Sequence, residues 1–155
     1  AGAAQLKWPN DVFINGAKAS GIMLDTGTVA SGTWVALAFG VNLADAPDNI
    51  DQKTICIRDL LPPDAPAPEP LAFLAALRPK LEGWSARIVS EGFEPLRTAW
   101  LRRAYGLGQE ARVVQGEQTL EGRIAGLSSR GELELDTATG RRLIAAGDVF
   151  LPKVA

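Results

Sequence analysis

Lys7-Trp8-Pro9-Asn10-Asp11-Val12-Phe13-Ile14-Asn15-Gly16-Ala17-Lys18-Ala19-Ser20-Gly21-Ile22 sets an Asn-Gly pair between two short apolar runs. That pair is the strongest local signal for a two-residue type I′ hairpin. With Asn15-Gly16 as the turn, Ile14 lies opposite Ala17, Phe13 opposite Lys18, Val12 opposite Ala19 and Asp11 opposite Ser20. Cross-strand partners share a face, as do residues two apart. Val12, Ile14, Ala17 and Ala19 then form an apolar face to be buried, and Asp11, Phe13, Lys18 and Ser20 form the other. The second face sets a carboxylate and an ammonium on a diagonal of roughly 7–8 Å between Cα atoms, which a lysine side chain spans.

Working outward, residues 5–43 read as strands, with Val12 to Ile14, Ile22 to Leu24 and Trp34 to Val41 separated by Gly, Asn, Thr and Ser. Residues 44–69 read as loop, with one short helix or strand around Thr54 to Leu61, and end in the stiff proline-rich run from Pro62 to Pro70. Leu74, Leu77, Leu81, Trp84 and Ile88 step by three and four, the spacing of one apolar helix stripe. Pro79 within that run predicts a kink or restart. Glu91-Gly92 predicts the end of that helix. Glu94-Pro95 predicts the start of another, with Leu96, Trp100, Leu101 and Ala104 facing inward and Gly106 at its C-terminus.

From residue 109 the period changes to two. Short apolar runs at Ala111 to Val114, Leu120 to Ala125, Leu133 to Leu135, Leu143 to Ala145 and Val149 to Leu151 are spaced by glycines, which predicts a small closed five-stranded sheet. Val113, Leu120, Ile124, Leu133, Leu135 and Ile144 are its expected core.

Composition removes whole chemistries. The 155 residues contain no histidine and a single cysteine, Cys56, so Ser-His-Asp and Cys-His catalysis, histidine zinc sites and internal disulfides are excluded within this chain. Sixteen Lys+Arg against 18 Asp+Glu leave a net charge of -2, no electrostatic reason to expect nucleic acid or an anionic membrane as partner. No apolar run approaches the ~20 residues of a membrane span. With no disulfide, a cytoplasmic location is the simplest expectation. Cys56 reads as a small buried hydrophobe, and Trp84 and Trp100 as packing residues.

Without histidines, charge developing on phosphate oxygens must be met by Lys, Arg, amide donors and a carboxylate-held Mg²⁺. Lys7, Asn10, Asp11 and Lys18 supply that set, which suits phosphoryl or nucleotidyl transfer. The lysines bring positive charge, and Asn10 bridges to a phosphate or a metal-bound water. Asp11 holds the metal or accepts a proton from an incoming amine. On spacing alone, a solvated face with a weak surface ion pair is the competing account.

Lys7-Trp8-Pro9-Asn10-Asp11 followed by Lys18-Ala19-Ser20-Gly21-Ile22-Met23-Leu24 resembles the central motif of the biotin protein ligases. Phe39-Gly40-Val41-Asn42-Leu43 resembles the family's next strand. Gly92-Phe93-Glu94-Pro95-Leu96 with Trp100, Gly122 to Leu127, Gly131-Glu132-Leu133 and Gly147-Asp148-Val149 resemble its C-terminal part. The resemblance implies an α+β fold: part of a class II synthetase-like catalytic domain over residues 1–106, then a small SH3-like β-barrel over 107–155.

It also implies an enzyme that joins biotin to ATP, giving biotinyl-5′-AMP and pyrophosphate. The biotin then passes to a lysine of a carboxylase's biotin carboxyl carrier domain. By resemblance Lys18 and Asp11 are catalytic, and Lys7, Trp8, Asn10, Lys18, Gly21 and Asn42 bind biotin or the adenylate. Mg²⁺ arrives with the phosphates, with Asn10 or Asp11 as its protein contact. No DNA or membrane partner is expected, and a homodimer is compatible with the reading. A lipoate-type ligase, and a non-catalytic binding module built on the barrel, are the alternatives.

Three departures stand out. The family's Gly-Arg-rich loop over biotin and the phosphates is expected upstream of residue 1, so the chain reads as an inactive C-terminal piece. Ser20 and Asp25 replace the more usual Ala and Glu. The family's Thr-Ser pair is matched only loosely at Thr54-Ile55-Cys56.

Overall fold

In the computed structural model, which describes residues 3–48 and 52–152, Asn15 and Gly16 both take positive φ, 52° and 74°. Positive φ at both central positions is the type I′ geometry that matches the twist of the flanking strands. The turn joins β2 (Asp11–Ile14) to β3 (Ala17–Val29), and β4 (Gly32–Val41) returns antiparallel along β3. With β1 (Ala4–Lys7), an extension not read from the sequence, the sheet order is β1-β2-β3-β4.

The hairpin register holds for two pairs and then shifts. Ile14 opposes Ala17 and Phe13 opposes Lys18, but an irregularity between Val12 and Phe13 sets Val12 against Ser20 and Asp11 against Gly21. The expected pairs Val12–Ala19 and Asp11–Ser20 are therefore corrected by one residue. Ala19 is the extra residue of a bulge. The cause lies outside the hairpin: the Ala19 carbonyl accepts the Asn42 N–H at 2.9 Å, while the Lys18 N–H donates to Lys53 O and the Ile55 N–H donates to Lys18 O. Ile14, Ala17 and Ala19 are buried as expected. Val12 is only half-buried, and Phe13 and Ser20, assigned to the polar face, are buried too. Further along the ribbon Leu24, Val35 and Leu37 are exposed.

The segment after β4 is largely irregular, as expected for 44–69, of which residues 49–51 lie outside the described residues. Thr54 makes a parallel bridge to Lys18, and Arg58–Leu60 is a single 3₁₀ turn. Cys56 is buried, its thiol donating to Ala44 O at 3.2 Å.

Helix α1 (Pro70–Glu91) runs on through Pro79 as one element rather than restarting there. Pro79 is exposed, so solvent can take the Ala75 carbonyl that the missing N–H leaves over. No residue of α1 is buried; Leu77, Leu81 and Trp84 are half-covered, and the Arg87 guanidinium lies 4.9 Å over the Trp84 ring. Gly92, at φ 78°, ends the helix, and α2 (Glu94–Leu101) starts with proline in its first turn. It stops at Leu101, earlier than a terminus at Gly106.

The second sheet comprises β5 (Glu110–Gln115), β6 (Gln118–Leu127), β7 (Leu133–Thr137), β8 (Gly140–Ile144) and β9 (Asp148–Phe150). All five expected strands are present. Their order is β8-β7-β6-β5-β9, with β8 and β9 as edges, so among the described residues hydrogen bonding does not close the sheet. Its core is Val113, Ile124, Leu133, Leu135, Ile144 and Val149, each at most 4% exposed, with Leu120, Phe93, Trp100 and Leu101 packed against them. Leu133, Leu135 and Ile144 come from β7 and β8, whose facing residues Leu133 and Ile144 are paired.

The chain falls into two compact units, Ala1–Gln5 with Asn10–Leu74, and Leu6–Pro9 with Ala75–Ala155. Residues 6–9 thus count with the second unit: the Leu6 N–H donates to Arg103 O, the Tyr105 N–H donates to Leu6 O, and Leu6 makes an isolated parallel bridge to Ala104.

Candidate functional site

The bulge places the charged pair. Lys18 still opposes Phe13, so it shares a face with Asp11 two residues away, and Asp11 now opposes Gly21 rather than Ser20. A glycine at that point leaves room above the strand. A Cβ built on Gly21 would lie 3.4 Å from both Asp11 Oδ1 and Lys18 Cε. In that space Lys18 Nζ meets Asp11 Oδ1 at 2.6 Å, with 12% of the Asp11 side chain and 30% of the Lys18 side chain exposed. The short contact and the covered carboxylate distinguish this pair from an exposed surface ion pair, which contributes little.

Asn42 fixes the strand that carries the lysine. Its Nδ2 donates to Lys18 O at 3.3 Å and to Ile55 O at 3.2 Å, its backbone N–H donates to Ala19 O, and its carbonyl accepts the Ile57 N–H at 2.8 Å. Both amide hydrogens are thus engaged on main-chain carbonyls, so Asn42 positions Lys18 from behind. Thr54 Oγ1 hydrogen-bonds Pro47 O. This clamp of 42, 54 and 55 on residues 18–19 was not legible in the sequence, because it joins loop to bulge across long separations. Hydrogen bonding from Cys56, first through its side chain and then its N–H, holds the Asp59 carboxyl below the usual carboxylate range.

Asn10 is exposed beside Asp11, its carbonyl accepting the Ile22 N–H at 2.8 Å. Asp11, Lys18, Gly21, Asn10 and Asn42 all belong to the first unit. Lys7 and Trp8 count with the second. Trp8 is 7% exposed, lies in the core cluster of Val113, Leu133 and Leu135, and donates its indole N–H to Gly131 O at 3.2 Å; the Trp8–Pro9 peptide is cis.

Among the described residues no group of three or more His, Cys, Asp or Glu could cage a metal ion. Asp11 is the one carboxylate of the expected set, and it is engaged by Lys18. That donor set fits Mg²⁺ only in the manner usual for this ion, held mainly by substrate phosphates with at most a single carboxylate. No helix among the described residues is long and apolar enough to cross a membrane.

Residues 106–151 match the family model described as biotin protein ligase C terminal domain. The chain is 36% identical over 148 residues to a biotin--[acetyl-CoA-carboxylase] ligase of Paracoccus denitrificans, covering 94% of this chain and 62% of that protein. A ligase of the same name from Mycobacterium tuberculosis is 30% identical, covering 93% of this chain and 52% of that protein. In fold, the chain resembles the biotin protein ligase of Aquifex aeolicus solved in complex with biotin and ATP, with TM-score 0.78 and 20% identity over 97% of this chain and 62% of that one. The chain therefore spans roughly half to three-fifths of the length of these curated relatives.

Proposed function

From the match of residues 106–151 to the family's C-terminal domain and the likeness to two of its ligases, we propose that the chain is part of a biotin protein ligase and carries part of the machinery for ATP-dependent biotinylation of a carrier-domain lysine. In the first step a biotin carboxylate oxygen bonds to the α-phosphorus of ATP, and the bond from that phosphorus to the pyrophosphate oxygen breaks. In the second, a neutral lysine amine of a biotin carboxyl carrier domain attacks the acyl carbon of biotinyl-5′-AMP. AMP leaves and the amine loses a proton.

The observation that carries this reading is the Lys18–Asp11 pair over Gly21. Two anions must meet in the first step, and a preorganised ammonium lowers their mutual repulsion as charge builds on the α-phosphate. Asp11 aims that ammonium, and Asn42 fixes the backbone beneath it. Holding both reactants in line contributes a further large factor. Lys18 and Asp11 are the catalytic pair of this proposal. Lys7, Trp8, Asn10, Gly21 and Asn42 stand as the biotin and adenylate residues that the family motif implies. Mg²⁺, bound through the phosphates, would neutralise their charge, with Asp11 or Asn10 its nearest protein oxygens.

We further place the family's domain boundary at 106/107, separating a class II synthetase-like portion from an SH3-like one. The start of the family match at residue 106 supports it. The working location is the cytoplasm, with neither DNA nor membrane as partner, and with homodimer formation compatible with the proposal. The test is pyrophosphate release by the whole gene product. Release that needs both biotin and ATP, followed by labelling of a carrier domain, supports the reading, and release supported by lipoate but not biotin overturns it.

A further inference from the structure

At Lys18 the first sheet changes partners. β4 pairs with β3 as far as Ser20–Val41, and past that point residues 53–55 lie alongside β3 instead. The Lys18 N–H donates to Lys53 O at 2.9 Å, the Ile55 N–H donates to Lys18 O at 3.0 Å, and Thr54 is the residue bridged to Lys18. Two ladder bonds do not offset the entropy of ordering three residues, so the segment needs ties of its own. Ile55 O accepts from Asn42 Nδ2 at 3.2 Å, and the Cys56 thiol donates to Ala44 O at 3.2 Å. Thr54, half-buried, donates its hydroxyl to Pro47 O. Only the last of these is made by the side chain of the residue that faces Lys18. All of these residues lie in the first unit.

We propose that Thr54 is a positioning residue: its hydroxyl, bonded to Pro47 O, holds residues 53–55 against β3 and so fixes the main chain from which the Lys18 ammonium reaches Asp11. The bulge at Ala19 makes that support necessary. A bulge disrupts the ladder locally, and here it interrupts the β2–β3 register right beside Lys18. What holds Lys18 along its other edge then decides where its side chain starts. The effect on turnover rests on the reading under Proposed function, and the effect on the strand does not.

The test uses the whole gene product with Thr54→Val, which keeps the branched shape and loses the hydroxyl, and Thr54→Ser, which keeps the hydroxyl. Thr137→Val is the control, since Thr137 Oγ1 makes a comparable bond to Gly140 O at 2.7 Å in the second unit. The first readout is hydrogen exchange of the Lys18 and Ile55 amides, which report their bonds to Lys53 O and Lys18 O without reference to turnover. In Thr54→Val both should exchange roughly fivefold faster, the loss expected for one hydrogen bond. Thr54→Ser should return most of that protection, and Thr137→Val should leave both amides at wild-type rates. The second readout is kcat for biotin- and ATP-dependent pyrophosphate release, which should fall about tenfold in Thr54→Val as alignment is lost. The same change made on a Lys18→Ala background should lower kcat no further, because a residue acting through Lys18 has nothing left to position.

Unchanged Lys18 and Ile55 exchange in a folded Thr54→Val variant overturns the proposal. So does a Thr54→Ser variant that behaves like Thr54→Val, which would take the hydroxyl out of the account. An equal fall in kcat with and without Lys18 overturns it too, since Thr54 would then act on the fold at large. If Thr54→Val does not fold, Thr54→Ala is judged by the same two amides. A wild-type protein without biotin-dependent turnover sinks the ligase reading, and the exchange rates alone then decide the strap.

Discussion

At the scale of single residues, Lys18 is the most exacting test of the proposed chemistry. Its ammonium is held by Asp11 at 2.6 Å, and truncation to alanine removes both the charge and the alignment it imposes. Loss of a preorganised donor of this kind costs roughly 10²–10³ in rate. Biotin- and ATP-dependent pyrophosphate release by the whole gene product should fall by that factor in Lys18→Ala, with a cooperative thermal melt to show that the variant is folded. Lys18→Arg should also fail, because a planar fork does not replace a compact ammonium between two anions. Wild-type rates in either folded variant would reduce Lys18 to a surface charge. The face shared by Asp11 and Lys18 is legible in the sequence because it needs only the Asn15-Gly16 turn and the two-residue period. The room that lets them meet is not, since Gly21 faces Asp11 only after the bulge at Ala19.

At the scale of elements, the second sheet makes two predictions. Gly122 of β6 lies so close to β7 that an added Cβ would overlap Asp136 O and sit 2.9 Å from its carbonyl carbon. Those are backbone atoms that cannot swing aside. Gly122→Ala should therefore overpack the ladder and cost about 1–3 kcal/mol, read as a lower midpoint in denaturant. A midpoint equal to wild type would mean that β6 and β7 separate freely.

The second prediction concerns acid. Arg141, hydrogen-bonded to Asp136 at 2.6 Å and 3.0 Å across the β7–β8 hairpin, holds that carboxyl below the usual range. A depressed carboxylate adds stability that is present above its ordinary pKa and lost as pH falls through the lowered value. Wild type should thus be more stable than Arg141→Gln above the ordinary carboxylate range, and that advantage should vanish as pH falls through the lowered value, so that the two melts converge. A constant gap between them at all pH values would remove the ion pair from the account.

At the scale of the whole molecule, the two sheets are built on separate cores. The first unit holds Asp11 and Lys18 on a hairpin braced by residues 42 and 53–55. The second is organised around Leu133, Leu135 and Val113, all fully buried. Leu133→Ala should leave a cavity and cost about 2–5 kcal/mol, measured by chemical denaturation, and a loss under about 1 kcal/mol would show a core that collapses around the gap.

Turn chemistry, strand period and the end of α1 were determined by the sequence itself: the Asn15-Gly16 turn, the stop at Gly92 and the five strands after residue 109 each follow from local sterics and alternation. Tertiary structure alone decided the bulge at Ala19, the passage of α1 through Pro79, the open order β8-β7-β6-β5-β9 and the burial of Trp8 beside Gly131. Each of these depends on a partner remote in the chain or on exposure to solvent. A local pattern can say that a carbonyl or an indole N–H needs a partner. Only the assembled fold brings Asn42 to Ala19 and Gly131 to Trp8.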